Sequence, residues 1–162
     1  MKYRAFRDRI ISLSVIFAVL LTDIFTKRWA VNVLRNLPGE QKGGLEGLFH
    51  FRFAWNTGAA FSFLENAPGV IMAVTFVLIA VLFLFVFLPP RAKLSERICL
   101  SMVFAGGLGN FIDRLVYGAV ADFIEFEFMR FPVFNAADIS VVTGAVLFAI
   151  IICFPLKKGG VK

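Results

Sequence analysis

GVIMAVTFVLIAVLFLFVFL, residues 69–88, carries no charged side chain. A helix needs about 20 apolar residues to cross a hydrocarbon core roughly 30 Å thick, and this run meets that length with nothing costly to dehydrate. Its ends are punctuated: Asn66 can cap, Pro68 suits a first helical turn, and Pro89 with Pro90 stops the helix. The rest of the chain agrees with a membrane location. Of its 162 residues 59% are apolar, 21 being Phe. The mean hydropathy is +0.83. A soluble domain is about 45–50% apolar.

Working outward, three less clean runs complete a set of four predicted spans, at about 10–31, 68–88, 96–115 and 136–156. The connections 32–67 and 116–135 are predicted extramembrane, giving one membrane domain over 1–162. The first run follows basic residues as a signal peptide would, but TDIFTKRW has no small-x-small cleavage site, so a retained anchor is expected. Charge sets the orientation. Lys2, Arg4, Arg7, Arg9, Arg91, Lys93, Arg97, Lys157, Lys158 and Lys162 share one side with only Asp8 and Glu96. Both termini are therefore expected in the cytoplasm. The net charge of +6 reflects topology, and with basic residues in short juxtamembrane clusters no nucleic-acid partner is expected.

LFHFRFAWN, 48–56, alternates in part and is aromatic; VADFIEFEFMRF, 120–131, places Val120, Asp122, Ile124, Phe126 and Phe128 on one side and Ala121, Phe123, Glu125 and Glu127 on the other. Both fall on the non-cytoplasmic side, so a small sheet is expected there, within a fold that is otherwise an all-α integral membrane protein. Gly43, Gly44 and Gly47 suggest mobility suited to a lid. Cys99 and Cys153 read as small buried apolar residues; there is no C-x-x-C pair, the only histidine is His50, and no metal or cofactor is expected.

Ionisable groups in a membrane domain are costly and usually functional. Asp23, Lys27, Asn56, Asn110, Asp113, Arg114, Asp122, Asn135 and Asp138 all fall at the same end of the spans, whereas an ion path would need polar groups through the full depth. Asp23 and Lys27, four apart, suit a helical ion pair with Lys27 snorkelling outward. Gly106, Gly107 and Gly109 allow close helix packing, and Asn110 shares a face with Arg114. Arg114 is expected to bond its neighbour Asp113 and fix the loop. Asn56 and Gly58 fit a turn whose amide could bind a substrate backbone. Asn135 and Asp138 have the spacing of a capping box at the start of the last span, which alone would explain that acid.

A second role is available to it. Two carboxylates meeting at a partly desolvated site share a proton at neutral pH, and such a pair can deprotonate water with one member and protonate a carbonyl or leaving amine with the other. Asp122 and Asp138 are the candidates, although a separation of 16 residues does not show that they meet. No HExxH is present, which disfavours a zinc protease, and Ser62 lacks both a G-x-S-x-G context and a partner. A proton-coupled transporter and a membrane assembly factor stay open on these residues alone.

DIFTK (23–27), NTGAAF (56–61), GNFIDRLVYGAVADF (109–123) and FNAAD (134–138), in that order on four spans, resemble the signature blocks of lipoprotein signal peptidase, signal peptidase II. Ile24 departs from the Gln frequent after the first-block acid. The resemblance implies four transmembrane helices with an extramembrane β-cradle and a small helix over the site. It implies a bacterial inner-membrane aspartic endopeptidase that cuts prolipoproteins before the diacylglyceryl-modified cysteine, with Asp122 and Asp138 catalytic. Asp23, Lys27, Asn56, Gly58, Asn110, Asp113, Arg114 and Asn135 would support the site or the substrate. Membrane lipids, prolipoproteins and globomycin-type inhibitors are the implied partners, the chain is expected to act as a monomer, and the acids would lie near the outer leaflet. The charge balance predicts that reporters fused at either end of the chain read out on the cytoplasmic side; a reporter active on opposite sides at the two ends would overturn the even number of spans.

Overall fold

The computed structural model describes residues 2–58, 68–88 and 93–154. Ser62, Asn66, Pro89 and Pro90, invoked above, lie outside the described residues, as do residues 59–61 of the NTGAAF block. The elements are α1 (Lys2–Asn32), short 3-10 turns at Leu34–Asn36 and Pro38–Glu40, β1 (Gln41–Leu45), β2 (Phe49–Asn56), α2 (Pro68–Phe87), α3 (Leu94–Tyr117), β3 (Val120–Phe126) and α4 (Ala136–Cys153). Four of these helices are long and apolar enough to cross a membrane. Helix α1 begins at Lys2, ahead of its apolar run, because backbone hydrogen bonding does not stop where hydropathy falls.

Helix α3 packs against each of the other three. Two of its glycines, Gly106 and Gly109, sit close against different neighbours, α4 and α1. A Cβ on Gly106 would collide with the Ala137 carbonyl of α4, and one on Gly144 of α4 would come within 2.7 Å of the Cys99 carbonyl of α3. These two glycines bring the helix backbones together as small residues do in membrane bundles. Gly107 does not share that role: its nearest neighbour is Ile79, at an ordinary 3.8 Å. Elsewhere the bundle closes around Ile16, Val86, Phe104 and Ala105, while Phe76, Leu78 and Phe85 of α2 face outward, as side chains solvated by lipid do. Cys99 is buried as expected, but Cys153 is exposed, because it lies on the outward face of α4 beside Ile152.

Gly118 ends α3 in the left-handed region (φ 71°), where a side chain would be strained, and its N–H caps the Arg114 carbonyl at 3.0 Å. The chain then turns straight into β3. The sheet has the order β1-β2-β3, antiparallel throughout, with Ala54 opposite Asp122 and Trp55 opposite Ala121. Gly43 and Gly44 belong to β1 and Gly47 (φ 77°) to its turn, so the segment read as a lid is a paired hairpin. The alternation of 120–131 does not separate a wet face from a dry one. Val120 to Phe123 are all buried: Ala121 and Phe123 pack on Ala30 of α1, Leu34 of the turn after it and Phe53 of β2, while Asp122 on the other face bonds Asn135, the N-cap of α4. Trp29 locks this junction by edge contacts with Phe51 and Phe123.

Gly106→Val should lower the melting temperature of the detergent-solubilised chain, since overpacking of this kind costs about 1–3 kcal/mol. Gly107→Ala should leave it nearly unchanged, and equal losses in the two would count against the α3–α4 contact as the tight one.

Candidate active site

Nine polar residues singled out in the sequence meet where β3 and the start of α4 cross the sheet-facing halves of α1 and α3. Asp122 is 1% exposed, Asn135 0% and Asp23 2%. Burial of this kind is tolerated only with partners. The partners form one network.

Asn135 is the N-cap of α4. Its side-chain oxygen accepts the Asp138 N–H at 3.0 Å, and the Asp138 carboxylate accepts the Asn135 N–H at 3.1 Å, which completes the expected capping box. A backbone N–H can only donate, so that bond fixes which end of the Asn135 amide is oxygen. Its NH2 is thereby aimed at Asp122, donating at 2.6 Å, and at the Asn110 oxygen at 3.1 Å. Asn110 is oriented the same way. Its oxygen accepts from the Lys27 ammonium at 2.8 Å, which leaves its NH2 to donate to Asp138 at 2.7 Å. In Asn56 the oxygen accepts the Gly58 N–H at 3.0 Å and the NH2 donates to Asp122 at 2.8 Å. Thus each carboxylate is met by amide NH2 groups whose rotation is settled on their far side.

Lys27 is only 5% exposed and does not snorkel as expected. It turns into the bundle, pairing with Asp23 at 2.8 Å and Asp113 at 2.9 Å as well as Asn110. Asp113 is therefore not bonded to Arg114. Successive residues of a helix point about 100° apart, so Asp113 faces α1 while Arg114 faces the other flank, where it donates to the Gly58 carbonyl at 2.8 Å and the Asn110 carbonyl at 3.4 Å. The Asn56 amide likewise differs from expectation: it is committed to Asp122 and not held open for a ligand. Gly109 has a reason of its own, since a Cβ there would come within 2.5 Å of the Asp23 carboxylate.

Burial, and then the Asp138 charge, push the Asp122 carboxyl up to about 7, against the pull of the Asn56 and Asn135 amides. Between pH 4 and 7 this acid holds a proton that it would lose unfolded. A cleft of about 440 Å³ opens beside it, with Asn56, Arg114 and Asp138 at one end and apolar walls that include Phe126, Phe131 and Val142. The wall residues were not singled out from sequence; the aromatic run FMRFPVF was the available signal. Among the described residues no group of His, Cys, Asp and Glu has the arrangement of a metal site. Two carboxylates, a cleft and fixed amide donors are what acid–base activation of water at a peptide bond requires.

A family model described as signal peptidase (SPase) II matches residues 15–154. The lipoprotein signal peptidase of Staphylococcus haemolyticus is 38% identical over 143 residues, covering 87% of this chain and 89% of the relative. That of Gloeothece citriformis is 37% identical over 140 residues, covering 86% of each. Two solved bacterial membrane enzymes share the fold: one at TM-score 0.82 and 27% identity, covering 94% of this chain and 93% of its own, the other at 0.78 and 29%, covering 91% and 94%.

Asp122→Asn removes an acid whose folded form resists ionisation. The raised value means that Asp122 supports folding fully below pH 4 and loses that support as pH rises through about 7. The variant should therefore gain melting temperature over the parent at pH 8 and little at pH 5. A gain that is independent of pH would show that Asp122 ionises normally in the folded chain.

Proposed function

The chain belongs to the signal peptidase II family, and from that premise we propose that it is an aspartic endopeptidase that removes the signal peptide from prolipoproteins, cleaving before the diacylglyceryl-modified cysteine. The observation that carries the reading is the convergence of Asp122 and Asp138 on Asn135, which hydrogen-bonds both, at the mouth of a lipid-compatible cleft.

In the proposed reaction one proton is shared by the two acids. The ionised member takes a proton from water as it attacks the scissile carbonyl, and the protonated member gives its own to the carbonyl oxygen and later to the leaving amine. Which acid begins as base belongs to the pair and not to either residue. Asn56, Asn110 and Asn135 hold the carboxylates in position, Lys27 with Asp23 and Asp113 holds Asn110, and Arg114 with Gly58 holds the segment that follows Asn56. No metal or cofactor takes part.

The proposed substrate fits the depth of the site. A diacylglyceryl cysteine keeps its acyl chains in the outer leaflet while the signal helix stays embedded, which brings the scissile bond near the interface. With both termini cytoplasmic, the sheet and the two acids lie at the outer leaflet of the bacterial inner membrane. The apolar cleft walls suit the lipidated substrate and equally a globomycin-type cyclic peptide.

Processing of a lipid-modified precursor by purified chain tests the reading. Asp122→Asn and Asp138→Asn should each lose about 10²–10⁴-fold or more in rate, the span for a general acid or base. Cleavage should be indifferent to chelator, and it should fall as pH rises above about 7 and the shared proton is lost. Near-parental turnover in either correctly folded variant would remove that acid from the mechanism.

A further inference from the structure

A second cleft, of about 670 Å³, lies on the opposite flank of α3 from the two acids, between α1 and α3. Its composition is graded along the bundle. Farther from the sheet it is walled by Ile24, Ile112 and Val116; nearer the sheet it is lined by Arg28, Arg35, Trp55 and Tyr117. The order follows from the chain, because α1 and α3 both run toward the sheet and these residues come later in each. Trp55 and Tyr117 form an aromatic pair with ring centroids 6.0 Å apart.

Arg28 and Arg35 are exposed, and among the described residues neither guanidinium has an ion-pair or hydrogen-bond partner. Lys27 and Asp113, which also line the cleft, are paired with each other at 2.9 Å, so Lys27 is not available to a ligand. The cleft therefore presents two uncommitted positive charges above an apolar wall. Topology does not explain them: in the proposed orientation they stand on the side opposite the cationic clusters that set it.

We propose that this cleft binds one anionic phospholipid, its phosphodiester held by Arg28 and Arg35, its glycerol region against Trp55 and Tyr117, and an acyl chain along Ile24, Ile112 and Val116. Guanidinium groups match phosphate oxygens in a planar fork, and basic pockets between membrane helices take anionic headgroups. The aromatic pair marks headgroup depth. A free phosphate would satisfy the arginines but leave the apolar wall unused, and the peptide substrate has its own cleft beyond Arg114. The proposal rests on the proposed orientation for the leaflet from which the lipid is drawn and for setting the two arginines apart from the clusters that fix topology.

The chain has two tryptophans, so Trp29→Phe leaves Trp55 as the reporter. This variant, reconstituted in vesicles, should be quenched more strongly by brominated-acyl phosphatidylglycerol than by brominated-acyl phosphatidylcholine. A relative preference on the order of tenfold is expected for two arginines. Adding Arg28→Gln and Arg35→Gln should equalise the two lipids. Native mass spectrometry of the unsubstituted chain should show retained phosphatidylglycerol that the double arginine variant loses, a readout that does not need Trp29→Phe to fold. Equal quenching by both lipids, or a preference that survives the double variant, would overturn the proposal. So would displacement by soluble glycerol phosphate, which would mark a phosphate site and not a lipid site. Cleavage of a detergent-soluble precursor should be unchanged in the double variant, so loss of lipid preference and loss of peptidase activity are read separately.

Discussion

Three amide side chains govern what the rest of the structure has to do. Asn56, Asn110 and Asn135 each give their oxygen to a group that can only donate, and each therefore turns an NH2 toward a carboxylate, buried Asp122 or half-buried Asp138. An asparagine left to itself can flip at little cost. Here a flip would set oxygen against carboxylate and NH2 against N–H or ammonium, losing bonds at both ends in a place where an unmade bond costs about 1–3 kcal/mol. The acids are held without being neutralised outright, since amides stabilise a carboxylate less than a full positive charge would. That leaves Asp122 poised near neutrality.

The positive charge is kept one bond away. Lys27 touches Asn110, which in turn touches Asp138, while Asp23 and Asp113 absorb most of its charge. A lysine placed directly on either acid would hold it ionised and spoil the proposed sharing of a proton. The same arrangement explains why α3 is the centre of the bundle. It must present Gly109 to Asp23, Asn110 and Arg114 to the cleft of the acids and Asp113 to α1 within a turn and a half, and a helix packed against three others offers those directions.

Much of this was legible in the sequence, for reasons that can be named. An uncharged run such as 69–88 has a single reading, and polar residues gathered at one end of four spans have few. The Asn135–Asp138 cap was readable because its partners are three residues apart. What could not be read were contacts whose partners are distant in sequence or adjacent on a helix. Asp113 next to Arg114 suggests a pair in one dimension, yet the helix turns them to opposite flanks, and the true partner, Lys27, is 86 positions earlier. Lys27 was expected to reach for the surface because a lysine alone would; it stays inside because two acids and an amide meet it there. The alternation of β3 put two sets of residues on two sides, but contacts with α1, α3 and the cap of α4 bury both sets over Val120–Phe123.

The N-cap of α4 has a consequence for quality control. Asn135 closes the first turn of that helix and in the same posture touches both acids, so the site exists only while the helix start is wound. If that turn frays, the chain keeps its hydrophobic spans and stays in the bilayer, but the carboxylates lose their common neighbour and drift apart. Under the proposed function, a half-assembled copy would lack a working pair of acids, so the hydrogen bonds that finish the helix would also be the ones that arm the site.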